Sequence, residues 1–238
     1  MRYSTLGPAL ETFGPSYKIT GILLALGLLF SGLAFAVANE IHDQTAWIVF
    51  DGIALFFGVL LWRHLVCRAW LHEMGISYRK MLGYGEVRWT EVEQIYFETH
   101  EVDVHLIPLG SFSSLRLVTT HQKKIAMGEN IRNTEVLFEV VAKRTFDALY
   151  RNAVLEFNSG SEVDFGAIRV SREEGVTIRR RFRRQTIPWK DIAGFQFDAH
   201  FAQFDRVSRR LATKVASKRV ANTHALHALL TGVMRHVW

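Results

Sequence analysis

The chain has 238 residues, 49% of them apolar, with a formal net charge of +6 and a single cysteine. Length and apolar content allow one or two domains with real cores, and the lone Cys67 rules out an intramolecular disulfide and fits a reducing compartment. The charge is uneven: residues 1–72 balance four bases against four acids, residues 73–158 carry ten bases and twelve acids, and residues 159–238 carry fifteen bases and seven acids.

From the N-terminus, residues 1–17 read as a cytoplasmic tail and residues 18–66 as a transmembrane hairpin with spans at about 19–38 and 46–64. Ile19–Ala38 is a run of twenty residues without a charge. At ~1.5 Å rise per residue such a helix covers the ~30 Å hydrocarbon core of a bilayer. The second run, Ala46–Leu61, is bracketed by Trp47 and Trp62 like an interfacial aromatic belt. Lys18 precedes the first span, while Arg63 and His64 follow the second, set to snorkel. The link NEIHDQT is short enough to force an antiparallel hairpin, and small residues four apart (Gly21 and Ala25, Gly27 and Ser31, Gly32 and Ala36, Ala54 and Gly58) predict close backbone approach. Arg2, Lys18, Arg63 and Arg68 lie outside the hairpin, whereas the link holds two acids and no Lys or Arg. That asymmetry predicts a multi-pass protein of the inner (cytoplasmic) membrane with both termini in the cytoplasm.

A cleaved leader is the competing reading, because Ala36-Val37-Ala38 before Asn39 imitates a cleavage site. Against it stand Glu11, Pro8 and Pro15, and an apolar run longer than the ~7–15 residues of a leader core. Asp51, the one ionisable residue inside a span, sits a turn beyond Trp47 and reads as a carboxylate reaching interfacial water. Cys67 reads as a small helix-end residue rather than an acylation site.

The soluble part is self-similar with a period of about one hundred residues. Gly75-Ile-Ser-Tyr-Arg followed by Trp89-Thr-Glu-Val recurs as Gly175-Val-Thr-Ile-Arg followed by Trp189-Lys-Asp-Ile. Lys124-Ile-Ala-Met with Asn133-Thr recurs as Lys214-Val-Ala-Ser with Asn222-Thr, so the second copy lacks about ten residues, roughly one hairpin, of its middle. In the first copy Ile76, Tyr78 and Leu82 alternate with Ser77, Arg79 and Met81 as a half-buried strand, and Gly83 and Gly85 allow a tight turn. Further strands are expected at 95–99, 102–107, 114–120 and 123–127, then a helix from Thr134 that Asn133 would cap. Asn222 would cap the matching helix of the second copy.

Short antiparallel strands closed by one helix resemble the pleckstrin-homology-like (PH-like) fold. The expected class is therefore a membrane-anchored α+β chain: a two-helix transmembrane hairpin followed by two PH-like antiparallel β-sandwich or barrel modules, each closed by a C-terminal helix. The first module is expected at 67–158 and the second, shortened one at 159–238. Taken together, the two spans, the Gly-aliphatic strands leading to Trp89 and Trp189, the Val163-Asp-Phe165-Gly strand and Asn222-Thr resemble an uncharacterised family of bacterial two-pass membrane proteins. The resemblance implies a fold and a topology and transfers no catalytic residue or ligand.

For chemistry, the densest feature is basic. Val176–Arg184, read as one strand, would project Arg179, Arg181 and Arg183 in a row spaced ~6.6 Å apart, with Arg184 and Lys190 close by. Guanidiniums on a rigid strand suit anionic lipid headgroups or an acidic protein surface; a solvated face is the bland alternative. Arg169 and Arg172 would enlarge the patch, and Glu173 and Glu174 would oppose it. Trp89 and Trp189 read as corner-packing residues. His224 and His227 read as a polar helix face rather than metal ligands. No metal, nucleophile or phosphate-loop signature occurs, so neither cofactor nor metal is expected. The expected function is that of a membrane-tethered, non-enzymatic binding or scaffold protein that presents its tandem modules to a protein partner. The alternative is binding of anionic lipid headgroups of the inner leaflet; nucleic acid is disfavoured for want of interleaved aromatics. Lys18, Trp47, Trp62 and Arg63 are the expected membrane-interface residues.

Overall fold

The computed structural model describes residues 5–41, 44–80, 83–104, 107–128, 131–180, 183–198 and 200–237. Contacts divide the chain into two compact units, Met1–Arg88 with Glu129–Asn133, and Trp89–Gly128 with Thr134–Trp238. These units do not share boundaries with the sequence copies at 67–158 and 159–238: the second unit gathers later strands of the first copy with everything that follows.

In the first unit the chain runs β1 (Ala9–Phe13), α1 (Tyr17–Ile41), α2 (Gln44–Val66), β2 (Arg68–His72), β3 (Gly75–Lys80) and β4 (Gly83–Arg88). The four strands form one antiparallel sheet in the order β1-β2-β3-β4. The segment expected as a tail is thus part of the sheet: Phe13 pairs with Ala69 and Ala9 with His72, so β1 and β2 meet across the whole helical hairpin. Ala69, Leu71, Ile76 and Val87 lie on one face and are buried, as alternation requires.

Both helices are long and apolar enough to cross a membrane, and most of their side chains are exposed, Leu28 at 75% and Leu55 at 69%. The seam between them is aromatic: Phe30 stacks on Phe57 at 5.7 Å, and a Cβ on Gly27 would touch Phe57. Gly21, Gly32 and Gly58 face open space instead, so of the glycines in the expected small-residue pairs only Gly27 meets the partner helix. His64 does not snorkel. It is 2% exposed, and its Nε2 lies 3.0 Å from both the Ser16 carbonyl oxygen and the Thr20 hydroxyl, which fastens the end of α2 to the start of α1. Cys67 is buried, its thiol donating to the Arg63 carbonyl.

The second unit begins with a 3-10 turn at Trp89–Glu91 and a three-stranded sheet of β5 (Val92–Val104), β6 (Ile107–Thr119) and β7 (Lys124–Met127). Helix α3 (Thr134–Asn158) follows, then β8 (Val163–Phe165), β9 (Ile168–Ser171), β10 (Gly175–Arg179) and β11 (Arg184–Ile187) in one antiparallel sheet. A second 3-10 turn at Trp189–Asp191 leads to β12 (Ile192–Phe197), β13 (Phe201–Arg206) and β14 (Arg209–Ala216) in a three-stranded sheet. A third turn at Ser217–Arg219 precedes α4 (Thr223–Val237). The two expected strands at 95–99 and 102–107 merge into the long β5–β6 hairpin, whose arms are 13 residues each against 6 in β12 and β13. The residues missing from the second copy shorten a hairpin rather than delete one. Phe165, Ile178, Ile187, Phe204, Leu226 and Leu230 fill the core beneath these elements.

Asn222 corrects a second expectation. Its φ is +50°, not the extended backbone of an N-cap, and its side chain reaches sideways to β5. Nδ2 donates to the Glu93 carbonyl at 2.9 Å, Oδ1 accepts from the Ile95 N–H at 2.8 Å, and its own N–H donates to the Ile95 carbonyl at 2.8 Å. The carboxamide mimics one more strand residue and seats the start of α4.

Candidate functional site

The basic segment is a hairpin, not a single strand. Thr177 and Ile178 are buried on the two faces of β10, so the core ends at Ile178 and charged residues can follow only outside it. The chain reverses there: the Arg180 N–H donates to the Arg183 carbonyl at 2.8 Å, and Arg179 becomes the cross-strand partner of Arg184. The row expected along one strand is therefore folded back on itself. Arg179, Arg180, Arg183 and Arg184 cluster at the hairpin tip, while Arg181 lies outside the described residues. A fifth guanidinium, missed in the sequence, joins from the turn before α4: Arg219 donates to the Arg179 carbonyl at 3.0 Å. No ion pair engages any of these five among the described residues. Like charges directly opposite on paired strands are unfavourable by up to ~1 kcal/mol, a cost that a bound anion relieves.

Three expected members stand apart. Arg169 is neutralised by Glu162 at 2.6 Å and Asp164 at 3.1 Å, and the Glu162 hydrogen bond is the first cause holding its pKa above the ordinary arginine value. Arg172 and Lys190 lie at the other end of the sheet, separated from the tip by the ~16 Å length of β10. That far end is closed by Trp189, whose Nε1 donates to the Ser171 and Arg172 carbonyls at 3.1 and 3.0 Å and whose ring meets the edge of Phe157. It also holds Asp191, bonded by Ser208 and paired with Arg206. Those hydrogen bonds, from Ser208 first and Arg206 next, hold its pKa down to about 2.

His224 and His227 are engaged by aromatic rings. His224 stacks on Phe138 at 5.5 Å, and His227 meets Phe195 and Phe197 edge-on at 5.4 and 5.9 Å. Loss of water from the covered ring face, then the nearby His227, moves the His224 pKa down. The adjoining crevice, lined by Ile95, Phe138, Phe146 and Asn222, has a volume of about 10 Å³, the size of one water. Among the described residues no group of three or more His, Cys, Asp or Glu stands close enough to hold a metal ion.

In the first unit, His72 Nδ1 lies 2.8 Å from the Gly7 carbonyl and Nε2 lies 2.8 Å from the Ser77 hydroxyl. The Nδ1–H tautomer donates to Gly7 and leaves Nε2 to accept from Ser77, an order found in activated nucleophiles. With His72 4% and Ser77 2% exposed, the chain of bonds is buried and ties the residues before β1 to the sheet.

The residues expected at a membrane interface fall at the two ends of the helical pair. Lys18 and Arg63 are exposed at the end nearest the sheet. Trp62, 55% exposed, and Trp47, 38% exposed, stand ~22 Å apart along α2. Trp47 packs edge-on against Phe35 and Phe50 at 5.7 and 5.9 Å. Asp51 is exposed on the same helix.

No curated protein matches the chain. A family described as a family of unknown function (DUF6585) matches residues 1–236, nearly the whole chain, and the protein belongs to that family.

Proposed function

We propose that the protein is a membrane-tethered, non-enzymatic binding protein: α1 and α2 cross the cytoplasmic membrane of a bacterial cell, both termini stay in the cytoplasm, and two duplicated PH-like modules present a basic hairpin to an acidic protein partner. The observation that carries the anchor is the pairing of β1 with β2, because it forces the two ends of the helical pair onto one side of any membrane they cross. It also argues against a cleaved leader, since a cut after Ala38 would remove a strand from the sheet. The duplication is supported by the same order in both halves, a four-stranded sheet, a 3-10 turn at Trp-x-acid, a three-stranded sheet and a helix. In the first half the helical hairpin occupies the connection between β1 and β2, where the second half has only Gly166 and Ala167 between β8 and β9.

The partner reading rests on the guanidiniums of Arg179, Arg180, Arg183, Arg184 and Arg219, which no ion pair neutralises among the described residues, and anionic headgroups are the second reading of the same tip. Crosslinking in intact cells followed by detergent purification tests both. The wild-type chain is expected to recover the same acidic protein repeatedly, and Arg180→Glu/Arg183→Glu/Arg184→Glu to lose at least nine-tenths of it, about a tenfold drop in affinity being ~1.4 kcal/mol. Repeated recovery of no specific protein overturns the partner reading. Protection of the tip from hydrogen exchange only in nanodiscs with anionic lipid would select the second.

A further inference from the structure

Six exposed cations from separate parts of the chain meet at one end of the first unit. Arg63 lies in the last turn of α2, Lys18 lies in the first turn of α1, and β2 starts at Arg68 with only Cys67 between it and α2. Arg68 is the cross-strand partner of Arg79, so the end of the sheet that receives α2 also carries Arg79 and Lys80 from the end of β3. Arg132 arrives from the segment after β7: its N–H donates to the Gly14 carbonyl at 2.8 Å, Ile131 bridges to Pro15, and its guanidinium lies 4.8 Å over the ring of Tyr17. Lys80 Nζ stands 5.6 Å from the ring of Tyr78. No ion pair engages any of the six among the described residues.

The Arg68–Arg79 pair is the informative part. Two guanidiniums directly opposite on adjacent strands repel, and the hydroxyl of Tyr84, the partner of Arg79 on β4, donates to the Glu86 carboxylate at 2.6 Å. Flanking positive charge next to a span needs only Lys18 and Arg63. Arg79, Lys80 and Arg132 are remote in sequence from both helices and reach this place through strand register and the Gly14–Arg132 bond. We propose that Arg68, Arg79 and Lys80, with Arg132 beside them, form a binding site for the phosphate headgroups of anionic lipids in the bilayer that holds α1 and α2. The site rests on the anchor reading above, because only helices crossing a bilayer bring this end of the sheet to headgroup depth. It is separate from the hairpin tip of the second unit. Arg68 and Arg79 grip one phosphate between them, Lys80 and Arg132 add charge from either side, and the sheet is thereby held at a defined angle to its anchor.

The full chain, reconstituted into nanodiscs from equal amounts of phosphatidylcholine and phosphatidylglycerol and then released for native mass spectrometry, tests this. The wild type is expected to retain phosphatidylglycerol severalfold over the supplied ratio. Arg68→Gln/Arg79→Gln/Lys80→Gln is expected to lose that preference, while Arg68→Lys/Arg79→Lys keeps most of it and shows that the fold tolerates change there. A chain that alkaline carbonate strips from membranes overturns the anchor and this site together. A chain that stays embedded but retains the two lipids as supplied, or a glutamine variant that retains phosphatidylglycerol like wild type, overturns this site alone.

Discussion

Asp191 shows how much a single side chain settles locally. It is the last residue of the 3-10 turn that joins the two sheets of the second half, its carboxylate accepts hydrogen bonds from Ser208 and Arg206 at the far end of β13, and its carboxyl is depressed from the ordinary 3.8 to about 2. A folded value below the unfolded one means stability that is fully present above about 3.8 and is lost as pH falls through about 2. Acid unfolding followed by circular dichroism is expected to lose its steep limb in that window in Asp191→Asn; an unchanged limb would assign the acid sensitivity elsewhere. The acid was legible in the sequence as part of Trp-x-acid, and Trp189 was read correctly as a corner residue, since an aromatic at a strand end has few other uses. The partners were not legible, because Ser208 and Arg206 approach through β13, and register across a sheet is not written in local pattern. Asn222 failed for a related reason: capping rules look along the chain, and its carboxamide bonds a strand more than a hundred residues away.

Strand positions, by contrast, are partly readable from alternation and turn residues, and the departures have identifiable causes. In the first copy Gly83 and Gly85 signal the reversal, although both lie just past it in β4, with Gly83 paired to Lys80; the hundred-residue offset carries that reversal to the segment between Arg180 and Arg183. The run of arginines lacks glycine, so it read as one strand. The glycine that opens β3 and β10 is a stricter requirement. At Gly75 and Gly175 a Cβ would run into the carbonyl oxygens of Val87 and Ile187, and Gly175 also holds φ +100°. Gly160 has a similar φ of +83° but open space around it. Gly175→Ala is therefore expected to lower stability by roughly 2–4 kcal/mol and Gly160→Ala by only about 1–2 kcal/mol, read by denaturant unfolding. Equal losses would mean that backbone strain alone, without the close approach, sets the requirement.

For the chain as a whole, charge and hydropathy located the helices to within a few residues, yet nothing local signalled that residues before α1 would complete a sheet after α2. Ala9–Phe13 is too short and too exposed to read as a strand until β2 lies beside it. Under the anchor reading, that pairing couples folding to insertion. β1 is synthesised first and waits while more than fifty residues, both helices among them, emerge before its partner exists. The two strands find one another only if the segment between them crosses the bilayer an even number of times. Deleting Gln44–Val66 leaves a single span and would strand β1 on the opposite side from β2. Limited proteolysis of membranes carrying that deletion is expected to cut β2–β4 rapidly, where the intact chain resists; equal resistance would show that the sheet closes without β1. The sheet thus acts as a parity check on its own anchor, leaving a half-inserted chain with an unpaired edge that quality-control proteases can recognise.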